Sequence, residues 1–283
     1  MRATAVLALA LALAAAPAAV SAADTLPETV RFASRDGATE LVGYLFRPQG
    51  EGPHPAIVLL HGRSGPYSSL AKGVYDAGTL SLRHQWWGRF WAGQGYLALL
   101  VDSFGPRGHP AGFPRFSYSN RPAEVSEQTR RPLDAYGALA YLRSRPDVMA
   151  DRIGVQGWSN GAMTILAALD AARYPDDARD GRGFRAALAF YPGCRVQEGT
   201  GYVPYAPVLM LLGSADEEVS PVVCERVARD VRERTDRLGW VTYEGAQHDF
   251  DNPSRSRQAV SENRLATEDA RVRALEFFRA HLR

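Results

Sequence analysis

Short apolar runs, each cut off by Gly, Pro or Asp, recur along the chain. They are Leu41–Phe46, Ala56–Leu60, Tyr96–Val101, Ile153–Gln156, Ala186–Tyr191, Val208–Leu212 and Trp240–Tyr243. Runs this short and this apolar suit strands buried on both faces, so they predict a parallel sheet. Helical patterns fill the intervals. Pro132–Arg143 and Pro221–Arg234 each open on a proline, which fits the first helical turn. Asn160–Ala172 is rich in Ala, Leu, Met and Ile, and Leu82–Trp91 has helical spacing. In Thr267–Leu282, Val272, Leu275, Phe278 and Leu282 recur at helical spacing and are expected to face the sheet. The alternation predicts one α/β domain: a doubly wound, mostly parallel sheet with helices on both faces.

The first residues do not join this pattern. Arg2 supplies a positive start, Val6–Ala16 is an unbroken run of Ala, Leu and Val, and Pro17 ends it. Val20-Ser21-Ala22 has the small-residue spacing of a signal peptidase site. We expect residues 1–22 to be a signal peptide and 23–283 the domain, with cleavage after Ala23 as the second choice. A retained membrane anchor is the alternative, but the run is short for a span. The expected product is exported, periplasmic or secreted, with no stable membrane association. In such a compartment Cys194 and Cys224, with no cysteine left over, suggest one disulfide. Two thiols this far apart, without a histidine beside them, do not match a zinc site, and no metal is expected.

Composition narrows the partners. The chain has 283 residues, 46% hydrophobic and 23% charged, with a net charge of +2. These are ordinary globular values. They give no bulk electrostatic case for nucleic acid or an anionic membrane. The basic residues are almost all arginine, Lys72 being the only lysine, and they are scattered.

The chemistry lies at the strand ends. Gly157-Trp158-Ser159-Asn160-Gly161 matches G-x-S-x-G, a tight strand-to-helix turn that holds a serine above the sheet. The pattern alone is weak, but a strand precedes it and a helix follows. A serine hydroxyl needs a base. In this fold acid and base follow the nucleophile along the chain. Only His248 and His281 lie beyond Ser159. His281 sits in a terminal helix, whereas His248 follows the last strand and is the expected base. The acid belongs after the preceding strand, where Gly213-Ser214-Ala215-Asp216-Glu217-Glu218 stands. Asp216 is the choice, with Glu217 and Glu218 as fallbacks. The oxyanion hole needs two backbone donors. Asn160 supplies one, and the His61-Gly62-Arg63-Ser64-Gly65 loop the other, from Arg63 or else Ser64.

These motifs resemble the dienelactone hydrolase family of the α/β-hydrolase fold from about Ala56 onward. The marks are H-G-R-S-G, the run Asp102-Ser103-Phe104-Gly105-Pro106-Arg107-Gly108, G-W-S-N-G, the G-S-A-D loop and G-A-Q-H-D-F. Tyr191-Pro192-Gly193-Cys194 with Cys224 resembles an exported branch. The resemblance implies an ester hydrolase with no cofactor. The dienelactone hydrolases proper use a cysteine nucleophile and a nearby glutamate. Here Ser159 takes that place and the H-G-R-S-G loop has no carboxylate, so no particular ester is implied.

The leading expectation is a serine hydrolase that cleaves small carboxylic esters through an acyl-enzyme. A serine peptidase or amidase on the same fold is the alternative, and a non-catalytic binding protein on a hydrolase scaffold is the alternative from another class. Arg107, just past a strand, is a candidate to bind a substrate carboxylate or carbonyl; tying down its own loop is its other reading. Trp158 and Trp87 are candidates to wall the pocket. The aromatics of the 65–95 stretch equally suit packing a helix onto the sheet.

Overall fold

The apolar runs assemble into one sheet of eight strands. The computed structural model describes residues 25–174, 176–177 and 180–283; the expected signal peptide lies outside them. The strands are β1 (Glu28–Ala33), β2 (Glu40–Phe46), β3 (His54–Leu60), β4 (Leu97–Asp102), β5 (Val148–Trp158), β6 (Ala187–Phe190), β7 (Val208–Gly213) and β8 (Leu238–Tyr243). Their order is β1-β2-β4-β3-β5-β6-β7-β8. The pairs β1–β2 and β2–β4 are antiparallel and the rest are parallel. The sequence reading has no counterpart of β1. It is an edge strand with only Val30 and Phe32 turned inward, so it lacks a continuous apolar run.

Period-two geometry explains the central runs. In β3, Ala56, Val58 and Leu60 face one core layer, and Ile57 and Leu59 the other. The first layer holds α2 (Arg131–Arg143), α3 (Asn160–Ala168) and α4 (Pro221–Arg232). The second holds α1 (Leu82–Gly93) and the terminal α6 (Ser261–Leu282); a short α5 (Arg255–Gln258) precedes it. Both faces are therefore covered, and the doubly wound expectation holds.

The contact face of α6 differs from expectation. Phe278 and Leu282 are buried, but Val272 is 55% exposed. Ala266, Ala270 and Ala274 line the buried stripe instead. Small side chains let the helix lie close to the sheet, a preference that a search for large apolar residues overlooks.

Cys194 and Cys224 form a disulfide, with Cα atoms 5.0 Å apart. Cys194 follows β6 by a Pro-Gly turn, and Cys224 lies in the first turns of α4. Since β6 and β7 are neighbours, the bond ties the β6 loop to the helix that follows the β7 loop. The loops after β3, β4, β5, β7 and β8 gather at the carboxyl ends of the parallel strands, where open α/β sheets bind ligands.

Candidate functional site

Ser159 sits on the turn between β5 and α3 with φ 51° and ψ −112°. A non-glycine residue there is strained, and such strain persists only where surroundings enforce it. The two flanking glycines allow the turn. A Cβ on Gly157 would collide with the Gly161 backbone, and one on Gly161 with the Leu60 carbonyl. Ser159 N–H donates to Phe190 O (2.9 Å), fixing the elbow to β6. Its Oγ makes no hydrogen bond among the described residues.

His248 hangs from the loop after β8. Its Nδ1 lies 2.7 Å from Asp216 Oδ2. A carboxylate oxygen accepts, so in the neutral imidazole Nδ1 carries the proton and Nε2 the lone pair. Asp216 Oδ1 accepts from the N–H groups of Glu218 (2.8 Å) and Val219 (2.9 Å), which fixes the carboxylate plane. Tyr191 packs against the imidazole with ring centroids 4.6 Å apart.

Glu217 and Glu218 take other parts. Glu217 Oε2 accepts the backbone N–H of His248 (3.0 Å). Glu218 Oε2 lies 3.9 Å from His248 Nε2, on the side of the ring away from Asp216's contact. Arg63 grips Glu218 with two bonds of 3.2 Å, and Arg115 adds one of 2.8 Å. Burial alone would raise the Glu218 carboxyl, but Arg63, His248 and Arg115 outweigh it and hold it down at about 2.

The loop after β3 approaches the serine from the other side. A Cβ on Gly62 would stand 3.7 Å from Ser159 Cβ, so this loop runs beside the nucleophile position. Arg63 N–H donates to no acceptor among the described residues. His61 anchors the loop: its Nε2 accepts from Ser103 N–H (3.2 Å), so Nδ1 is the protonated nitrogen and donates to Gly62 O (2.7 Å). Burial, followed by the charge of Arg131, keeps this ring neutral. Arg131 in turn donates to His61 O (2.6 Å). The Asn160 side chain is held by Arg121 (2.7 Å), which leaves its backbone at the start of α3, beside Ser159.

A cavity of about 590 Å³ opens above these groups. Gly62, Arg63, Ser159, Glu218 and His248 line its floor and Leu70, Leu82, Arg115 and Arg257 its surroundings. Each arginine on the cavity has a carboxylate partner. Arg63 and Arg115 pair with Glu218, Arg115 and Arg257 with Glu217, and Arg83 with Asp249. His84 also reaches the wall, and burial together with Arg83 pushes it down to about 3, a neutral ring.

Residues 41–282 match the model of the dienelactone hydrolase family. The chain belongs to that family. A putative dienelactone hydrolase from Klebsiella pneumoniae superposes with a TM-score of 0.67 at 18% identity, over 90% of this chain and all of the other. A Thermogutta terrifontis esterase with propionate bound gives 0.58 at 19% identity, over 90% and 94%. At these identities the likeness concerns the fold. In sequence, a probable 2-oxo-3-(5-oxofuran-2-ylidene)propanoate lactonase from Bradyrhizobium is 23% identical over 219 residues, 74% of this chain and 78% of that protein. Human dipeptidyl peptidase 8 is 31% identical over 156 residues, 51% of this chain but only 15% of that protein's length.

Three expected substrate contacts of this dienelactone hydrolase family member lie elsewhere. The Arg107 side chain is only 6% exposed and spends its guanidinium on Asp134 through two bonds of 2.8 Å, on Asp36 (2.8 Å) and on Ser103 O (2.8 Å). It ties its own loop to α2 and the β1–β2 turn, and has no place on the cavity. Trp87 and Trp158 are fully buried in the layer under α1 and α6, and both indoles donate to Asp251 Oδ2 (2.8 Å each). The sequence reading missed Arg115, Arg257 and His84. They come from one loop and two helices, and nothing in their spacing links them to Ser159.

Proposed function

We propose that this chain is a serine hydrolase that cleaves uncharged carboxylic esters through an acyl-enzyme. The observation that carries the proposal is the His248 Nδ1–Asp216 Oδ2 bond of 2.7 Å on the wall of the cavity that also holds strained Ser159. Ser159 Oγ attacks the ester carbonyl and His248 Nε2 takes its proton. The oxyanion lies between the N–H groups of Arg63 and Asn160. His248 then returns the proton to the leaving alcohol, and water repeats the sequence to release the acid. Asp216 orients the imidazole and stabilises the imidazolium. Among the described residues Ser159 Oγ has no hydrogen-bond partner, and hydrogen bonds of this kind often tighten only once substrate is bound.

The preference for uncharged esters follows from the paired arginines. Among the described residues every arginine on the cavity already contacts a carboxylate, and Glu218 stands beside the base. We expect kcat/KM for a p-nitrophenyl acetate-type ester to exceed that for the matching hemisuccinate by about tenfold or more, since the Glu218 carboxylate beside the base opposes a second negative charge there. The reverse order would remove the uncharged-ester part. No turnover of any ester would remove the whole reading. The match to a peptidase over half the chain supports amide cleavage as the second reading, and a peptide panel separates the two.

Export is proposed on the disulfide and the apolar leader. No described helix is long and apolar enough to cross a membrane. Protein recovered from outside the cytoplasm should start at Ala23 and titrate with no free thiol. Reducing the bridge, which closes a loop with a sequence separation of 30, should cost about 3–4 kcal/mol of stability in the chain-entropy account. A reduced chain beginning at Met1 would contradict export.

A further inference from the structure

Asp251 lies three residues past His248, and its side chain is completely buried. Burying a carboxylate is costly unless donors surround it. Here three neutral donors do. Trp87 and Trp158 give their indole N–H groups to Oδ2 at 2.8 Å, and Tyr191 gives its hydroxyl to Oδ1 at 2.6 Å. The Arg83 guanidinium approaches Oδ1 to 3.6 Å without a hydrogen bond and pairs with Asp249.

The identity of these donors matters more than their number. Trp158 immediately precedes Ser159. Tyr191 immediately follows β6, whose Phe190 carbonyl receives Ser159 N–H, and its ring packs on the His248 imidazole. Tyr191 itself holds a backbone φ of 39°, which a tyrosine keeps only under constraint. Asp251 therefore meets the nucleophile's turn, the wall behind the base and, through its own backbone, the loop carrying the base. Asp216 fixes the proton on His248 Nδ1, on the side of the ring away from cavity-lining Glu218, and Asp251 fixes the ring's place through Tyr191.

We infer that Asp251 is a positioning residue for the proposed reaction: it sets the distance between Ser159 and His248 by clamping Trp158 and Tyr191 to the histidine loop. The inference rests on the serine-hydrolase reading for its kinetic part only. A misplacement of about 1 Å in such a pair can cost on the order of 100-fold.

The test uses the whole mature protein with Asp251→Asn. Asparagine keeps the size of the side chain but replaces one acceptor with a donor. In the parent background kcat should fall roughly 10- to 100-fold while KM stays within about twofold. In a His248→Ala background the same substitution should change the residual rate by less than about twofold, because a residue acting through the histidine has nothing left to act on. The low-field proton resonance of His248 Nδ1–H, assigned by its absence in His248→Ala, gives a readout that needs no substrate. It should broaden or vanish in Asp251→Asn. If Asp251→Asn does not fold, Tyr191→Phe removes the Oδ1 contact alone and should show the same split and the same loss of resonance in weaker form. An unchanged kcat and an unchanged resonance in a folded variant would overturn the inference, as would an equal loss in the His248→Ala background. If the parent turns over no ester, the functional reading has failed, and the resonance alone decides whether Asp251 holds the histidine.

Discussion

Ser159→Ala is expected to lower kcat for ester hydrolysis by roughly 10⁴- to 10⁶-fold with little change in KM. The hydroxyl is the only atom lost, and it reacts only along the path to the acyl-enzyme. His248→Ala should cost a similar factor, and the Ser159→Ala, His248→Ala double variant should be no worse than either single one, because neither group works without the other. Asp216→Asn should cost on the order of 10⁴-fold. An amide facing Nδ1 turns the imidazole toward the wrong tautomer, leaving Nε2 protonated and unable to accept from the serine. Glu218→Gln is the control that assigns the acid. It removes a carboxylate 3.9 Å from Nε2 but leaves the bond at Nδ1. Steady-state rates on one uncharged aryl ester read out all five variants. Near-parental activity in Ser159→Ala would sink the mechanism, and a severe Glu218→Gln beside a mild Asp216→Asn would transfer the acid's role.

Arg107→Ala is expected to lower stability by about 3–5 kcal/mol, the range for removing one partner of a buried ion pair. Asp134 is fully buried, and besides Arg107 it is left with hydroxyl donors, the Ser34 bond (2.8 Å) among them, and no cation in contact. Without the guanidinium its charge stands uncompensated. Burial already pushes its carboxyl upward against the pull of Arg107. The melting temperature should drop on the order of 10 °C. The partner Asp36 adds a pH dependence. Burial would raise its carboxyl, but the N–H groups of Ala38 and Thr39, the Thr39 hydroxyl and Arg107 hold it far below the ordinary range. A group depressed in this way contributes stability above its unfolded value of about 4 and loses it as the pH falls toward the folded value. The parent's acid unfolding should therefore weaken in slope when Asp36→Asn is introduced. Loss of affinity for acidic esters at an unchanged melting temperature would instead restore Arg107 to substrate recognition.

The contrast between Ser159 and Arg107 shows which part of the site could be seen in the chain. Ser159, Asp216 and His248 each stand within a few residues of a strand end, and the strands announce themselves by apolar runs. Local spacing therefore carries them to one edge of the sheet. Arg107 stands at a strand end too, but its partners Asp36 and Asp134 come from distant segments, and spacing says nothing of where a long side chain turns. Trp158 was decidable in principle. It shares its face of β5 with Gln156, which accepts from the Trp91 indole at 2.8 Å, so period two sends it under α1 and away from the cavity. The strand β1 escaped for the opposite reason: four of its six residues face solvent, and its pairing with β2 is what makes it a strand.

The charge pairing around the cavity also bears on how this enzyme could change. Glu217 is the carboxylate that Arg257 holds at 3.0 Å, and Arg257 lines the cavity. Glutamate and glutamine codons differ by one base. Glu217→Gln would keep an acceptor for the His248 backbone while leaving Arg257 without its counter-charge. An anion-binding group would then face the nucleophile with no residue added. If the chain cleaves esters as proposed, acceptance of acidic ones would be one mutational step away, reached by releasing a cation already in place, and a lineage descending from this sequence could acquire or lose that specificity without rebuilding its core.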